Sequence, residues 1–128
     1  MDTDNKMFGS DEQENQLPNM QWNHLEDIKE LDEIVKDSFH LPVVIFKHST
    51  RCSISRMALK QFEHEFDLPH LLKPYFLDLL EHRDISNEIA ARFGVLHQSP
   101  QIILIKDGKA IFDASHEQIN VHDLKELL

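Results

Sequence analysis

Val43-Val44-Ile45-Phe46 is an unbroken apolar run of strand type, and from about Ser53 the apolar spacing becomes helical. A strand with no polar face is covered on both sides, so a chain organised around it folds as an α/β layer structure. At 128 residues the chain is long enough for one domain with a real core and no covalent staples.

The rest of the chain supplies matching elements. Met20 to Leu25 reads as a short edge strand, and Asp27 to Ser38 as a helix with Ile28, Leu31, Ile34 and Val35 on one face. Pro42 opens the first core strand, Val43 to His48. Cys52 to Phe66 is a helix, with Ala58, Leu59, Phe62 and Phe66 at helical spacing. Tyr75 to Leu80 is expected to be a strand and Asp84 to Phe93 a helix closed by Gly94. Ile102 to Lys106 and Lys109 to Asp113 flank Asp107-Gly108, a type I′ hairpin signal. Glu117 to Leu128 is expected to form one closing helix, with Val121, Leu124 and Leu128 inward. After the first helix the order is β-α-β-α-β-β-α. A right-handed crossover followed by a hairpin gives a mixed four-stranded sheet with helices on both faces.

In open α/β sheets, chemistry gathers at the carboxyl ends of parallel strands. Cys52, the single cysteine, follows the first core strand and opens the second helix. A thiol there meets unsatisfied N–H groups and the positive end of the helix dipole, which favour the nucleophilic thiolate. The alternative is a small buried hydrophobe. With one cysteine no internal disulfide forms, and the chain needs no oxidising compartment to fold.

Charge narrows the functional classes. Residues 1–40 hold 3 basic against 11 acidic residues, whereas residues 41–128 hold 10 against 12. Without a basic stripe, nucleic-acid binding is not expected. No apolar run is long enough to span a membrane, and Met1 to Gln21 has no signal-peptide pattern, so a cytosolic protein is expected. Residues 1–20 read as a disordered acidic tail and 21–128 as the domain. Between Leu41 and Phe62 stand Lys47, Arg51, Arg56 and Lys60 with no acidic residue, a basic window around Cys52. Such a run is either solvated surface or an attraction for an anionic thiol ligand.

Phe46-Lys47-His48-Ser49-Thr50-Arg51-Cys52-Ser53-Ile54-Ser55, Ser99-Pro100-Gln101 and Asp113-Ala114-Ser115-His116 together resemble the monothiol bacilliredoxins, YtxJ-type general stress proteins of the thioredoxin-like superfamily. The resemblance covers about residues 20–128 and implies a thioredoxin-like fold with an additional N-terminal helix. It matches Cys52-Ser53-Ile54-Ser55 to the family's Cys-x-x-Cys or Cys-x-x-Ser motif and Pro100 to its cis-proline. The family usually has proline after its cysteine; here Ser53 stands there, so its usual redox poise is not assumed.

On this reading Cys52 is the nucleophile. Ser55 occupies the place of a resolving cysteine but cannot attack sulfur; its hydroxyl either bonds the Cys52 thiolate or is simply solvated. Ser99 and Pro100 form the substrate-binding edge, with backbone groups of Ser99 free to pair with a substrate strand. Arg51 and Lys47, then Arg56, carry electrostatic roles, and His48 is either a proton relay or structural. The nine histidines are scattered without ligand spacing, so no metal site is expected. The resemblance implies a monothiol thiol–disulfide oxidoreductase that removes bacillithiol from cytosolic protein mixed disulfides. Bacillithiol is then the low-molecular-weight co-substrate, with no tightly bound cofactor, S-thiolated proteins as partners, and a monomer. Two alternatives remain open: a stress or redox-sensor module whose Cys52 is reversibly thiolated, and a monothiol redoxin using another thiol such as glutathione.

Overall fold

The computed structural model describes residues 20–128. The expected acidic tail lies outside the described residues, apart from Met20, whose side chain is buried. The elements run β1 (Asn23–His24), α1 (Glu30–Asp37), β2 (Val43–His48), α2 (Ser53–Glu65), β3 (Lys73–Asp78), α3 (Arg83–Phe93), β4 (Gln101–Lys106), β5 (Lys109–Ser115), a 3-10 turn at His116–Gln118, and α4 (Val121–Lys125). The sheet has five strands in the order β1-β3-β2-β4-β5. The βαβαββα core is the expected one; the fifth strand is the short parallel edge strand β1, paired to β3. β2 pairs parallel with β3 and antiparallel with β4.

Every residue of β2 is buried, the apolar run Val43–Phe46 and also Lys47 and His48. Val44 and Phe46 pack with Phe62 of α2, with Phe66 just beyond its end, and with Val121 and Leu124 of α4. Val43 and Ile45 point to the opposite face, among Leu31 and Ile34 of α1 and Ile85 and Ile89 of α3. The two-residue period of the strand thus divides the core into two layers.

Several boundaries differ from the sequence reading for identifiable reasons. α1 begins at Glu30 because Asp27 acts before the helix: its Oδ1 accepts from Lys29 N–H, and Glu30 Oε1 accepts from Glu26 and Asp27 N–H. β3 begins earlier, at Lys73, and includes Pro74 close to its start. It also ends earlier than Leu80, because Asp78 Oδ1 accepts from Leu80 N–H and turns the chain. The single closing helix is divided. Asn120 Oδ1 accepts from Asp123 N–H and caps a separate α4, leaving a 3-10 turn before it. Val121 and Leu124 are buried as expected, but Leu128 is exposed.

The Asp107-Gly108 turn has positive φ at both residues, 52° and 78°, as a type I′ hairpin needs. Its backbone is fastened to the end of α1. Ser38 O accepts from Asp107 N–H at 3.0 Å, and Ser38 Oγ accepts from Gly108 N–H at 2.8 Å. This turn lies at the end of the sheet opposite the β2–α2 junction. Among the described residues no helix is long and apolar enough to cross a membrane.

Candidate functional site

β2 delivers the chain to a tight turn in which Cys52 N–H donates to Ser49 O at 3.2 Å. Cys52 is the N-cap residue of α2, in extended conformation and partly buried. Its carbonyl accepts the first helical bond, from Arg56 N–H at 3.0 Å. The thiol therefore stands where the leading N–H groups of a 13-residue helix emerge.

Ser55, one turn on, is fully buried, and its hydroxyl is committed elsewhere than to Cys52. Ser55 Oγ accepts from Ser49 N–H at 3.0 Å and lies 2.8 Å from His48 Nδ1. This corrects both expectations for Ser55: the hydroxyl is neither solvated nor turned to the thiolate, and instead ties the end of β2 to the first turn of α2. A serine oxygen accepts two hydrogen bonds and donates one, so Ser55 Oγ serves Ser49 N–H and His48 Nδ1 together in either tautomer of the ring. Burial lowers the His48 pKa, and the charge of Arg56 adds to this. The Asp78 carboxylate, in register across the parallel strands, and the Ser55 hydrogen bond oppose it.

Lys47 requires a larger correction. It falls on the α1/α3 face of the sheet, with Val43 and Ile45, and is only 1% exposed. Its Nζ donates to His97 Nδ1 at 2.7 Å and to Gln101 Oε1 at 3.0 Å. Burial pulls its pKa from 10.5 to about 8. Lys47 thus does not join a basic surface around Cys52. It braces the segment before β4, where Gln101 Nε2 also donates to Leu96 O and Ser86 Oγ approaches His97 Nδ1. Burial lowers the His97 pKa, and the charges of Lys47 and Arg83 add to the effect. The sequence reading missed Ser86, His97 and Gln101 as partners; the available signal was a charged residue inside a strand otherwise buried on both faces.

The other basic residues remain on the helix side. Arg51 is exposed in the turn, and Arg56 Nη1 donates to Thr50 O at 3.1 Å. Ser53, exposed at the start of α2, lines a groove of about 490 Å³ with His48, Arg56, Met57, Lys60 and Glu63. At the same end of the sheet, the Ser99–Pro100 peptide bond is cis, as expected, and leads into β4. Ser99 Oγ is buried without a hydrogen-bond partner among the described residues. The structure therefore gathers Cys52, Ser53, Arg51, Ser99 and Pro100 at one sheet end, buries Ser55 beneath the turn, and sends Lys47 to the far face.

A lone half-buried thiol capping the helix after a central strand, with a cis-proline at the same sheet end, belongs to the redox proteins of thioredoxin fold. Solved structures agree. A candidate oxidoreductase with a thioredoxin fold matches at 29% identity and a TM-score of 0.70, covering 80% of this chain and 89% of that one. The Malassezia sympodialis thioredoxin Mala s 13 matches at 16% identity and a TM-score of 0.66, over 89% and 93% of the two chains. Mitochondrial thioredoxin 3 of Saccharomyces cerevisiae matches at 20% and 0.63, over 82% and 91%. The family described as monothiol bacilliredoxin BrxC matches residues 23–124, and the chain belongs to that family.

Proposed function

We propose that the protein is a cytoplasmic monothiol oxidoreductase that removes bacillithiol from protein mixed disulfides through Cys52. The observation that carries this reading is the pairing of one accessible helix-capping sulfur with Ser55 in the place of a second one. The Cys52 thiolate attacks the bacillithiol sulfur of a mixed disulfide. A new S–S bond forms, the old one breaks, and the target protein leaves as its thiolate. A second bacillithiol thiolate then attacks the bacillithiol sulfur now bonded to Cys52. That step frees Cys52 as thiolate and yields bacillithiol disulfide, so electrons and sulfurs balance. Ser55 cannot perform this second attack, which makes an external thiol obligatory.

In the same reading, Ser55 and His48 are positioning residues that fix the turn carrying Cys52. Ser99 and Pro100 supply the edge against which the target backbone lies. Arg51 and Arg56 favour the carboxylates of the malate group that bacillithiol carries. The test follows the intact mass of the full-length protein during reaction with a bacillithiolated protein and excess bacillithiol. Many target molecules should be freed per protein, with a transient Cys52 adduct, and Cys52→Ser should free none. One stoichiometric adduct that persists in excess thiol would instead make the protein a thiolation sensor.

A further inference from the structure

The groove beside α2 is open to solvent and carries two cationic side chains. Ser53, Arg56, Met57 and Lys60 stand at i, i+3, i+4 and i+7, so they share one helix face and lead away from Cys52 for roughly 10 Å. His48 lies in its lining, with its Nδ1 engaged by Ser55. Among the described residues neither Arg56 nor Lys60 forms an ion pair. At the far end Glu63 is already engaged, its Oε2 accepting from Trp22 Nε1 at 2.6 Å. The groove thus offers two cationic groups, an apolar Met57 wall 71% exposed, and one satisfied carboxylate.

Its position relative to the sheet is equally informative. His48 pairs with Asp78 of β3, whereas Lys47 pairs with Gln101 of β4, so β3 and β4 flank β2 on opposite sides. The groove lies towards β3, since His48 packs on Phe76 and Glu63 reaches Trp22, which itself packs on Phe76. Ser99 and Pro100 enter β4, on the other side. Displacement at sulfur keeps the attacking, central and leaving sulfurs in line, so the carbon chain of the central sulfur projects sideways from that line.

We infer that the groove between His48, Arg56 and Lys60 seats the carboxylate-bearing body of the small thiol, while the target protein lies on the Ser99–Pro100 side. This rests on the proposed transfer chemistry and adds where the small thiol is held and by which charges. Arg56 and Lys60 take its carboxylates, Met57 covers its apolar part, and Lys47 takes no share.

The test titrates full-length, isotope-labelled Cys52→Ser protein with S-methyl bacillithiol and, separately, S-methyl glutathione, which bind without reacting. Amide shifts at Ser53, Arg56, Met57 and Lys60 and at the Trp22 indole are expected. Arg56→Gln and Lys60→Gln should each weaken binding by up to about fivefold, the upper range for a solvent-screened charge pair. Shifts confined to residues 96–101, unchanged affinity in both variants, or no shift with either probe would overturn the seat. Shifts of the groove residues with S-methyl glutathione alone keep the seat and remove bacillithiol as its occupant. Binding in the groove without turnover in the mass assay keeps the seat and rejects the enzyme.

Discussion

The Lys47 ammonium donates to His97 Nδ1 at 2.7 Å, on the face of the sheet opposite the helix that Cys52 caps. Five residues from Cys52 in sequence, this cation serves the segment before β4. Its consequences are for stability rather than for attraction of an anionic thiol.

Because burial lowers Lys47 from 10.5 to about 8, the unfolded chain holds a proton between those values that the folded chain does not. Stability should therefore rise with pH from about 8 to 10.5. Urea midpoints across that window should show the rise in the parent and lose most of it in Lys47→Met. A variant as steep as the parent would assign the slope to another group.

The acid limb has the same origin and the same sign. His48 and His97 are both held below the ordinary 6.5, so as pH falls through that value the unfolded chain takes up protons first. Stability should fall with acidification below about 6.5 until the folded-state histidines also protonate. A combined His48→Gln, His97→Gln variant should have a flatter acid limb in the same urea series.

Ser55→Ala removes the hydroxyl that serves both Ser49 N–H and His48 Nδ1 in a fully buried position. The loss should cost about 1–3 kcal/mol in denaturant unfolding. Ser55→Thr should restore part of it. Stability unchanged in the alanine variant would mean that the turn is held by its backbone alone.

Ser55→Cys tests the missing second sulfur. The parent should keep a stable Cys52 adduct after a single thiolation, whereas the variant should expel the bound thiol. It should then form a Cys52 disulfide with the introduced thiol, detected as the loss of two hydrogens from the dithiol mass. An adduct as durable in the variant as in the parent would show that the two side chains do not meet at an open helix end.

Gly94 and Gly108 both hold positive φ, 66° and 78°, but differ in surroundings. Gly94→Ala meets nothing within 4 Å, while Gly108→Ala brings a Cβ to 3.2 Å from the Phe39 ring. Both should destabilise, within the ~1–3 kcal/mol cost of a left-handed non-glycine residue. Gly108→Ala should be the worse of the two in thermal unfolding.

Local patterns made much of this legible. The apolar run defined β2, Asp107-Gly108 defined the hairpin, and the join between strand and helical periods put Cys52 at a helix start. Lys47 shows where proximity in sequence misleads. Grouped with Arg51 and Arg56 it forms a basic window, but strand alternation throws it onto the face of Ile45. Its partner Gln101 is in register on β4 and His97 lies in the loop before that strand, long-range relationships that no local pattern carries. Likewise the buried Ser55 hydroxyl follows from how the turn closes over His48, and the division of the last helix follows from one competing Asn120 side chain.

The double tie from Ser38 to the Asp107-Gly108 turn gives the two ends of the sheet different vulnerabilities. One end is sewn to α1 through backbone N–H groups; the other presents Cys52 on a turn. A lesion in the sewn end should lower the yield of folded protein while leaving the chemistry of each surviving molecule intact. At the other, loss of the partly buried Cys52 sulfur should spare abundance and silence the thiol, whereas loss of the buried Ser55 hydroxyl should lower abundance as well. A fall in cellular level with specific activity per folded molecule unchanged is therefore the signature of damage to the sewn end.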